Sequence, residues 1–136
     1  MLFKRNLLSS MQNSGLREPS RAGSGFQGNI SPAVVATDAA MTMTVAEMAG
    51  GMVQYSSLSA GRVVTTPTAA LILAAATDMD IGDSFSFIVS AVAAFAVTWG
   101  AGVGVTLAGR ATTPASSWSI VTVVKTSATT VTWYVS

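Results

Sequence analysis

The sequence predicts an all-β fold, a jelly-roll-like sandwich or barrel of about eight strands with one short helix and an extended N-terminal arm. Two observations lead to this prediction. Short segments that alternate apolar and polar side chains follow one another along residues 41–135, and turns with glycine, proline or small residues separate them. We therefore expect a β-sandwich domain at residues 31–136 and an arm at residues 1–30.

The predicted strands are short and closely spaced. In chain order they lie at residues 41–45, 52–56, 62–65, 85–89, 95–99, 103–107, 117–125 and 129–135. Between the third and fourth strands, Thr66 is the expected N-cap of a helix and Pro67 its first residue. Residues 68–76 are rich in good helix formers, so we expect the one short helix there. The last two strands should form a hairpin over residues 126–128.

The strand at residues 117–125 has apolar side chains on both of its faces. One face is expected to carry Trp118, Ile120, Thr122 and Val124, and the other Val121 and Val123. Trp133 shares a face of the last strand with Val131 and Val135. A strand of this kind suits a position between the core and a neighbouring subunit. We expect four residues to pack in the core or between copies: Trp118, Val121, Val123 and Trp133.

The composition excludes several classes of catalytic site. The chain has 136 residues, of which 50% are hydrophobic and 10% are charged, and it contains no His and no Cys. Ser-His-Asp and Cys-His sites, Cys/His zinc sites and disulfides are therefore impossible. The charged fraction is well below the roughly 25% of ordinary soluble domains. We predict a protein that is not an enzyme, has no cofactor and presents much of its surface to other protein.

Charge is distributed unevenly between the arm and the domain. Residues 1–30 carry four cations and one acid, a net charge of +3, whereas residues 31–136 carry three cations and five acids, a net charge of −2. Serine, glycine, asparagine, glutamine and arginine dominate the arm, and such a segment cannot by itself bury enough surface to offset its ordering entropy. We expect other chains to hold it in place.

Three other interpretations of basic or apolar segments are weaker. The apolar stretch at Leu7 and Leu8 is too short for a secretory signal, and although the arm's composition suits a mitochondrial presequence, nothing downstream indicates an organellar enzyme. Four cations spread over thirty residues are too few for a strong phosphate-binding surface, so we expect no nucleic-acid partner.

Residues 84–109 lack charge over a length that could span a membrane. Their two-residue period at 84–89 and glycine alternation at 100–104 predict buried strands instead, so we expect no membrane partner.

Two further patterns suggest ligand sites but fit turns better. Asp78, Asp80 and Asp83 place three carboxylates within six residues, yet they lack the spacing and the later Glu of a calcium loop. The glycines at residues 100–104 do not precede the start of a helix, as a phosphate-binding loop would. We predict no metal site and no phosphate site.

Three segments resemble a recurring module of tailed-phage virion proteins. They are residues 65–75 (TTPTAALILAA), 81–87 (IGDSFSF) and 102–109 (GVGVTLAG), followed by strands at 116–121 and 131–135. The resemblance covers about residues 60–136, and nothing matches over residues 1–58. It is closest in kind to the trimeric decoration, or cement, proteins and to the head fibres of phage capsids.

The resemblance implies a structural protein on the capsid surface of a virion. Its expected partners are the major capsid protein and further copies of itself, as a trimer that stabilises the head. The alternative is a tail-fibre, head-fibre or spike module that presents aromatic side chains to a host glycan. The chain has no long repetitive shaft of the kind that fibres carry, which favours the decoration protein.

On this interpretation the arm clamps onto neighbouring capsid subunits. Scattered apolar residues would act as anchors, and cations would pair with an acidic capsid surface. The expected capsid contacts are Leu2, Phe3, Lys4, Arg5, Leu7, Leu8, Arg17, Arg21 and Phe26.

Overall fold

The structure is a computed structural model that describes residues 30–136. The predicted capsid contacts of the arm, from Leu2 to Phe26, lie outside the described residues. The described residues form ten strands and two short helices. The strands are β1 (Ala33–Val35), β2 (Met41–Thr42), β3 (Met52–Tyr55), β4 (Arg62–Thr65), β5 (Ser84–Ala91), β6 (Val97–Gly100), β7 (Val105–Gly109), β8 (Thr112–Thr113), β9 (Ser117–Lys125) and β10 (Val131–Val135). The helices are α1 (Val45–Ala49) and α2 (Ala69–Ala75).

The strands form two sheets, which confirms the predicted all-β sandwich. The six-stranded sheet has the order β1-β3-β5-β9-β10-β7, and the four-stranded sheet has the order β2-β4-β6-β8. From β1 to β9 the chain changes sheet after every strand. As a result β1, β3 and β5 are parallel neighbours, and so are β2, β4 and β6. The pairing differs in this respect from a jelly roll, which is built from antiparallel Greek keys.

The parallel pairs explain how the sandwich is connected. Two parallel neighbours cannot be joined by a tight hairpin and need a crossover between them. Here a strand of the opposite sheet provides each crossover, accompanied by α1 between β3 and its partner β1, and by α2 between β5 and β3. The predicted C-terminal hairpin is confirmed, because β9 and β10 pair in antiparallel register from Val121 opposite Val135 to Lys125 opposite Val131.

The core lies between the two sheets and is centred on Trp133. This side chain is fully buried, and its ring lies 5.4 Å from that of Phe87 in an edge-on arrangement and 6.0 Å from that of Trp99 in the other sheet. Val121 and Val123 are also fully buried, so three of the four predicted packing residues belong to the core. Trp118 does not, since 61% of its surface is exposed.

The start of each helix differs from the prediction. Helix α1 begins where a strand was predicted to continue, and α2 has a different threonine as its N-cap. The strand predicted at 41–45 ends at Thr42, and α1 follows with the Thr44 hydroxyl accepting from the Glu47 amide at 3.2 Å. The N-cap of α2 is Thr68, whose hydroxyl accepts from the Leu71 amide at 3.3 Å, and not Thr66. Thr66 is buried and instead accepts a hydrogen bond from the amide of Gly102 at 2.9 Å.

The glycines of the third resembling segment hold the loop before β7 against α2. A Cβ at Gly102 would lie 2.5 Å from the Thr66 carbonyl oxygen, and one at Gly104 would lie 2.8 Å from the Cβ of Ala69. The Val103 carbonyl between them accepts from the Ala69 amide at 2.9 Å. The glycines therefore serve close backbone packing at a turn, which is the interpretation that the sequence favoured over phosphate binding.

A second connection joins the loop after β1 to the start of β4. The Asp38 carboxylate accepts hydrogen bonds from the Arg62 guanidinium at 2.8 Å and from the Ser59 amide at 3.0 Å, and also from the Ser59 hydroxyl. The hydrogen bonds from Arg62, and then those from Ser59, hold the pKa of the Asp38 carboxyl well below its usual range. This contact ties neighbouring parts of the two sheets together through their connecting loops.

Two glycine substitutions should separate steric crowding from backbone strain. Gly104 and Gly82 both have positive φ, at +80° and +99°, but a Cβ at Gly82 would meet no atom within 4 Å. Gly82→Ala should therefore lose only about 1–2 kcal/mol of unfolding free energy, from backbone strain. Gly104→Ala should lose about 1–3 kcal/mol more, from crowding against Ala69. Urea denaturation measures both, and equal losses would contradict the close packing of the loop on α2.

Acid should weaken the contact between Asp38 and Arg62. Because the folded pKa of Asp38 is lowered, its stabilising contribution is fully present above the unfolded pKa of about 3.9 and is lost as the pH falls through the folded value. We expect the melting temperature of Asp38→Asn to depend less on pH below about pH 4 than that of the natural chain. Circular dichroism melts over this range measure the difference, and parallel curves would show that the carboxylate contributes nothing.

Candidate interaction surface

The charged side chains of the described residues lie around the rim of the sandwich. They occur in loops, in α1 and at the ends of strands. They are Asp38, Glu47, Arg62, Asp78, Asp80, Asp83, Arg110 and Lys125. The two charged strand residues are the first residue of β4 and the last residue of β9. The strand interiors are therefore free of charge on both broad faces of the sandwich.

One broad face belongs to the six-stranded sheet and is called the outer face below. It consists of the strand residues that alternate with the core residues: Val34, Met52, Gln54, Ser84, Ser86, Ile88, Ser90, Thr106, Ala108, Trp118, Ile120, Thr122, Val124, Thr132 and Tyr134. The register aligns them in rows across the strands, with Ser90 opposite Trp118 and Ile88 opposite Ile120. None of these residues is charged.

Large apolar side chains on the outer face are exposed to solvent. The exposed fractions are 61% for Val34 and Trp118, 50% for Tyr134 and 41% for Ile120. Trp118, Ile120 and Tyr134 lie on the neighbouring strands β9 and β10, and exposed apolar side chains clustered on one face mark interaction sites. The outer face is therefore the candidate interaction surface. Trp118 was predicted to pack in the core or between copies. Its side chain lies on the outer face and not in the core, so only packing against another molecule remains.

Two hydroxyls of the outer face, and the Ser136 hydroxyl at the end of the chain, have hydrogen-bond partners within the chain. The hydroxyls of Ser86 and Thr122 lie 2.8 Å apart across β5 and β9. The Ser136 hydroxyl accepts from the Ile120 amide at 3.2 Å and donates to the Ile120 carbonyl oxygen at the same distance. A partner can cover these three hydroxyls without leaving them unsatisfied.

The other broad face, on the four-stranded sheet, is flat and rich in threonine. Its outward residues are Thr42, Val63, Thr65, Thr98, Gly100 and Thr112. A Cβ at Gly100 would lie 3.2 Å from the Thr65 hydroxyl oxygen and 3.3 Å from a methyl carbon of Val63. A side chain at Gly100 would therefore crowd Thr65 and Val63. This face too carries no charge.

The three-carboxylate loop serves as a turn into β5. The Asp83 carboxylate accepts from the Asp80 amide at 2.9 Å, and the Lys125 ammonium donates to the Met79 carbonyl oxygen at 2.7 Å. Backbone hydrogen bonds also join Gly82 and Asp83 to Lys125. Within residues 30–136, no group of three or more acidic side chains is placed to hold a metal ion. No helix in this part of the chain is long and apolar enough to cross a membrane.

Two of the exposed large side chains of the outer face, Val34 and Tyr134, were not predicted as members of a surface. A signal for Tyr134 was present, because it alternates with Trp133 and Val135, which share the opposite face of β10. For Val34 the signal is weak, since β1 has only three residues.

Comparison with known proteins gives no further assignment. No protein-family model, no curated protein and no solved structure matches this chain. Its function is therefore inferred from its composition and from its two uncharged faces.

Proposed function

We propose that the chain is a structural protein of a phage virion, a capsid decoration (cement) protein that binds the outer capsid surface as a trimer and stabilises the head. The observation that carries this proposal is the lack of charge on both broad faces of the sandwich. Its partners are the major capsid protein and its own copies. The resemblance of residues 60–136 to phage virion modules supports the same assignment.

The distribution of charge favours a protein that sits among other proteins. Charged side chains are depleted from the cores of interfaces and enriched at their rims. The described residues follow this pattern, with two uncharged faces surrounded by a charged rim. A cement protein contacts both its own copies and the shell, and two such faces supply surface for both contacts.

The shifted titratable groups support a structural role. Burial raises the pKa of the Tyr55 hydroxyl, and the nearby negative charge of Glu47 adds to this effect. The shift at Asp38 comes from the contact that joins two loops. Each shift has a cause in packing or in the connection of loops.

The arm is the proposed clamp on the capsid. Thirty extended residues can reach on the order of 100 Å, enough to contact more than one shell subunit. Deleting residues 2–28 should leave the sandwich folded but reduce binding to phage heads that lack the protein. Co-sedimentation with such heads measures binding, and circular dichroism verifies the fold.

A matched variant tests the charge contribution of the arm. Replacing Lys4, Arg5, Arg17 and Arg21 by serine keeps the apolar anchors and should make binding weaker and less sensitive to salt. Undiminished decoration by the deleted chain would show that the arm is not a clamp.

The alternative function, host-glycan recognition by a fibre or spike module, is favoured by one observation. Trp118 and Tyr134 are both exposed on the outer face, with Gln54 and Ser90 in the same row as Trp118. Aromatic rings beside hydroxyl and amide groups suit a partly polar ligand.

Two tryptophan substitutions distinguish the two functions. Trp133→Ala should lose about 3–5 kcal/mol of unfolding free energy at any concentration, because the side chain fills the core. For a cement protein, Trp118→Ala should lower the melting temperature in a concentration-dependent way, through weaker association. Thermal melts over a concentration series and a glycan array provide the measurements. If Trp118→Ala kept its melting temperature and lost glycan binding, the fibre or spike assignment would be correct.

A further inference from the structure

The β9–β10 half of the outer face carries exposed large side chains, whereas the larger outward residues of β5 and β3, Ile88, Met52 and Gln54, are half-buried. The β9–β10 half carries Trp118, Ile120 and Tyr134, all exposed. The β5 strand beside it carries Ser84, Ser86 and Ser90 at alternate outward positions, with Ile88 between them. A surface with raised and shallow halves side by side can pack head-to-tail, with the raised half of one copy against the shallow half of the next, and a closed ring of three copies uses such a contact.

We propose that copies of this chain pack against one another through the outer face, with the β9–β10 half of one copy over the β5–β3 half of its neighbour. The inference rests on the proposed function for the presence of several copies and adds the surface that joins them.

Charge limits what can cover this face. A charged group of a partner would lose its hydration against the outer face and find no opposite charge there, which is unfavourable. The covering surface must therefore also be uncharged at its centre. A second copy meets this requirement with the same residues, and its Ser86 and Thr122 hydroxyls remain paired within their own chain.

The size of the face is sufficient for a stable contact. Six strands of three to nine residues, at about 4.8 Å spacing and about 3.4 Å per residue, give a projected area on the order of 600 Å². Accessible area exceeds projected area on a surface with protruding rings. In a ring each copy buries both halves of this face, one against each neighbour, and the two halves together are comparable with the roughly 800 Å² that one partner buries in a standard interface.

Single introduced thiols test the predicted contact directly, because the chain contains no cysteine. Ser86→Cys and Ile120→Cys are prepared separately in the full chain, one of them isotope-labelled, and mixed under mild oxidation. The mixed disulfide should form at least tenfold faster than that between two copies of Thr98→Cys, which lies on the opposite broad face. Mass spectrometry of the cross-linked species measures both rates. Equal rates, or cross-linking confined to Thr98→Cys, would overturn the inference.

A charge placed on the face gives an independent test in the full chain. Trp118→Glu should weaken self-association at least tenfold in analytical ultracentrifugation, whereas Thr98→Glu on the other face should not. Urea denaturation verifies that each variant folds. If Trp118→Glu kept the native mass, or if both variants lost it alike, the assignment of this face would be wrong.

Binding to phage heads distinguishes a failure of the proposed function from a failure of the inference about the outer face. A natural chain that neither associates nor decorates heads would refute the proposed function. A chain that decorates heads as an oligomer, while Trp118→Glu keeps its mass but leaves the heads, would refute only the present inference, because the outer face would then contact the shell.

Discussion

The fold depends on one constraint: nearly every strand must contribute alternate side chains to a single core around Trp133. The chain meets it by crossing between the sheets after each strand up to β9. Phe87 on β5 and Trp99 on β6 contact Trp133 from the same sheet and from the opposite sheet. The loops that make these crossings are then held by specific contacts, Asp38 with Arg62 on one side and Gly104 with Ala69 on another. The crossovers therefore keep parallel neighbours in register without long helices.

The outward side chains of the strands do not pack in the core. Their composition can therefore reflect contacts with other molecules. A sheet with one face on the core usually carries polar and charged residues on the other. Here the outward positions hold serine, threonine and apolar side chains, while the charges are confined to loops, α1 and strand ends. Packing of the core cannot account for that choice. The proposed contact with other protein surfaces would account for it, since uncharged faces are covered at little desolvation cost.

Much of the fold was accessible from the sequence because alternation specifies strands directly. The strands at 62–65 and 117–125 were predicted with the observed boundaries, and Val121 and Val123 were correctly placed on one face of the second strand. Helix α1 was missed, although Thr44 and Glu47 have the spacing of a capping box. The alternating methionines and threonines before it suggested a strand that continued through Val45.

Other features depend on contacts between distant residues, which periodicity does not specify. Alternation indicates which residues share a face but not which strands are neighbours, so the parallel pairing was not predictable. For the same reason the two apolar faces of β9 could not be assigned, and only the structure places Val121 inside and Trp118 outside. The helix N-cap was placed at Thr66 instead of Thr68 because the sequence does not reveal the hydrogen bond from Gly102 to Thr66.

The central claim is that the uncharged faces of this sandwich are covered by protein, beginning with copies of the chain. Sedimentation equilibrium of the full 136-residue chain at micromolar concentration tests it most directly. We expect a mass that is a whole multiple of 13.8 kDa, with three copies in the assembly. The association should persist at high salt because the contact is apolar. A stable, soluble monomer of 13.8 kDa over the whole concentration range would contradict it.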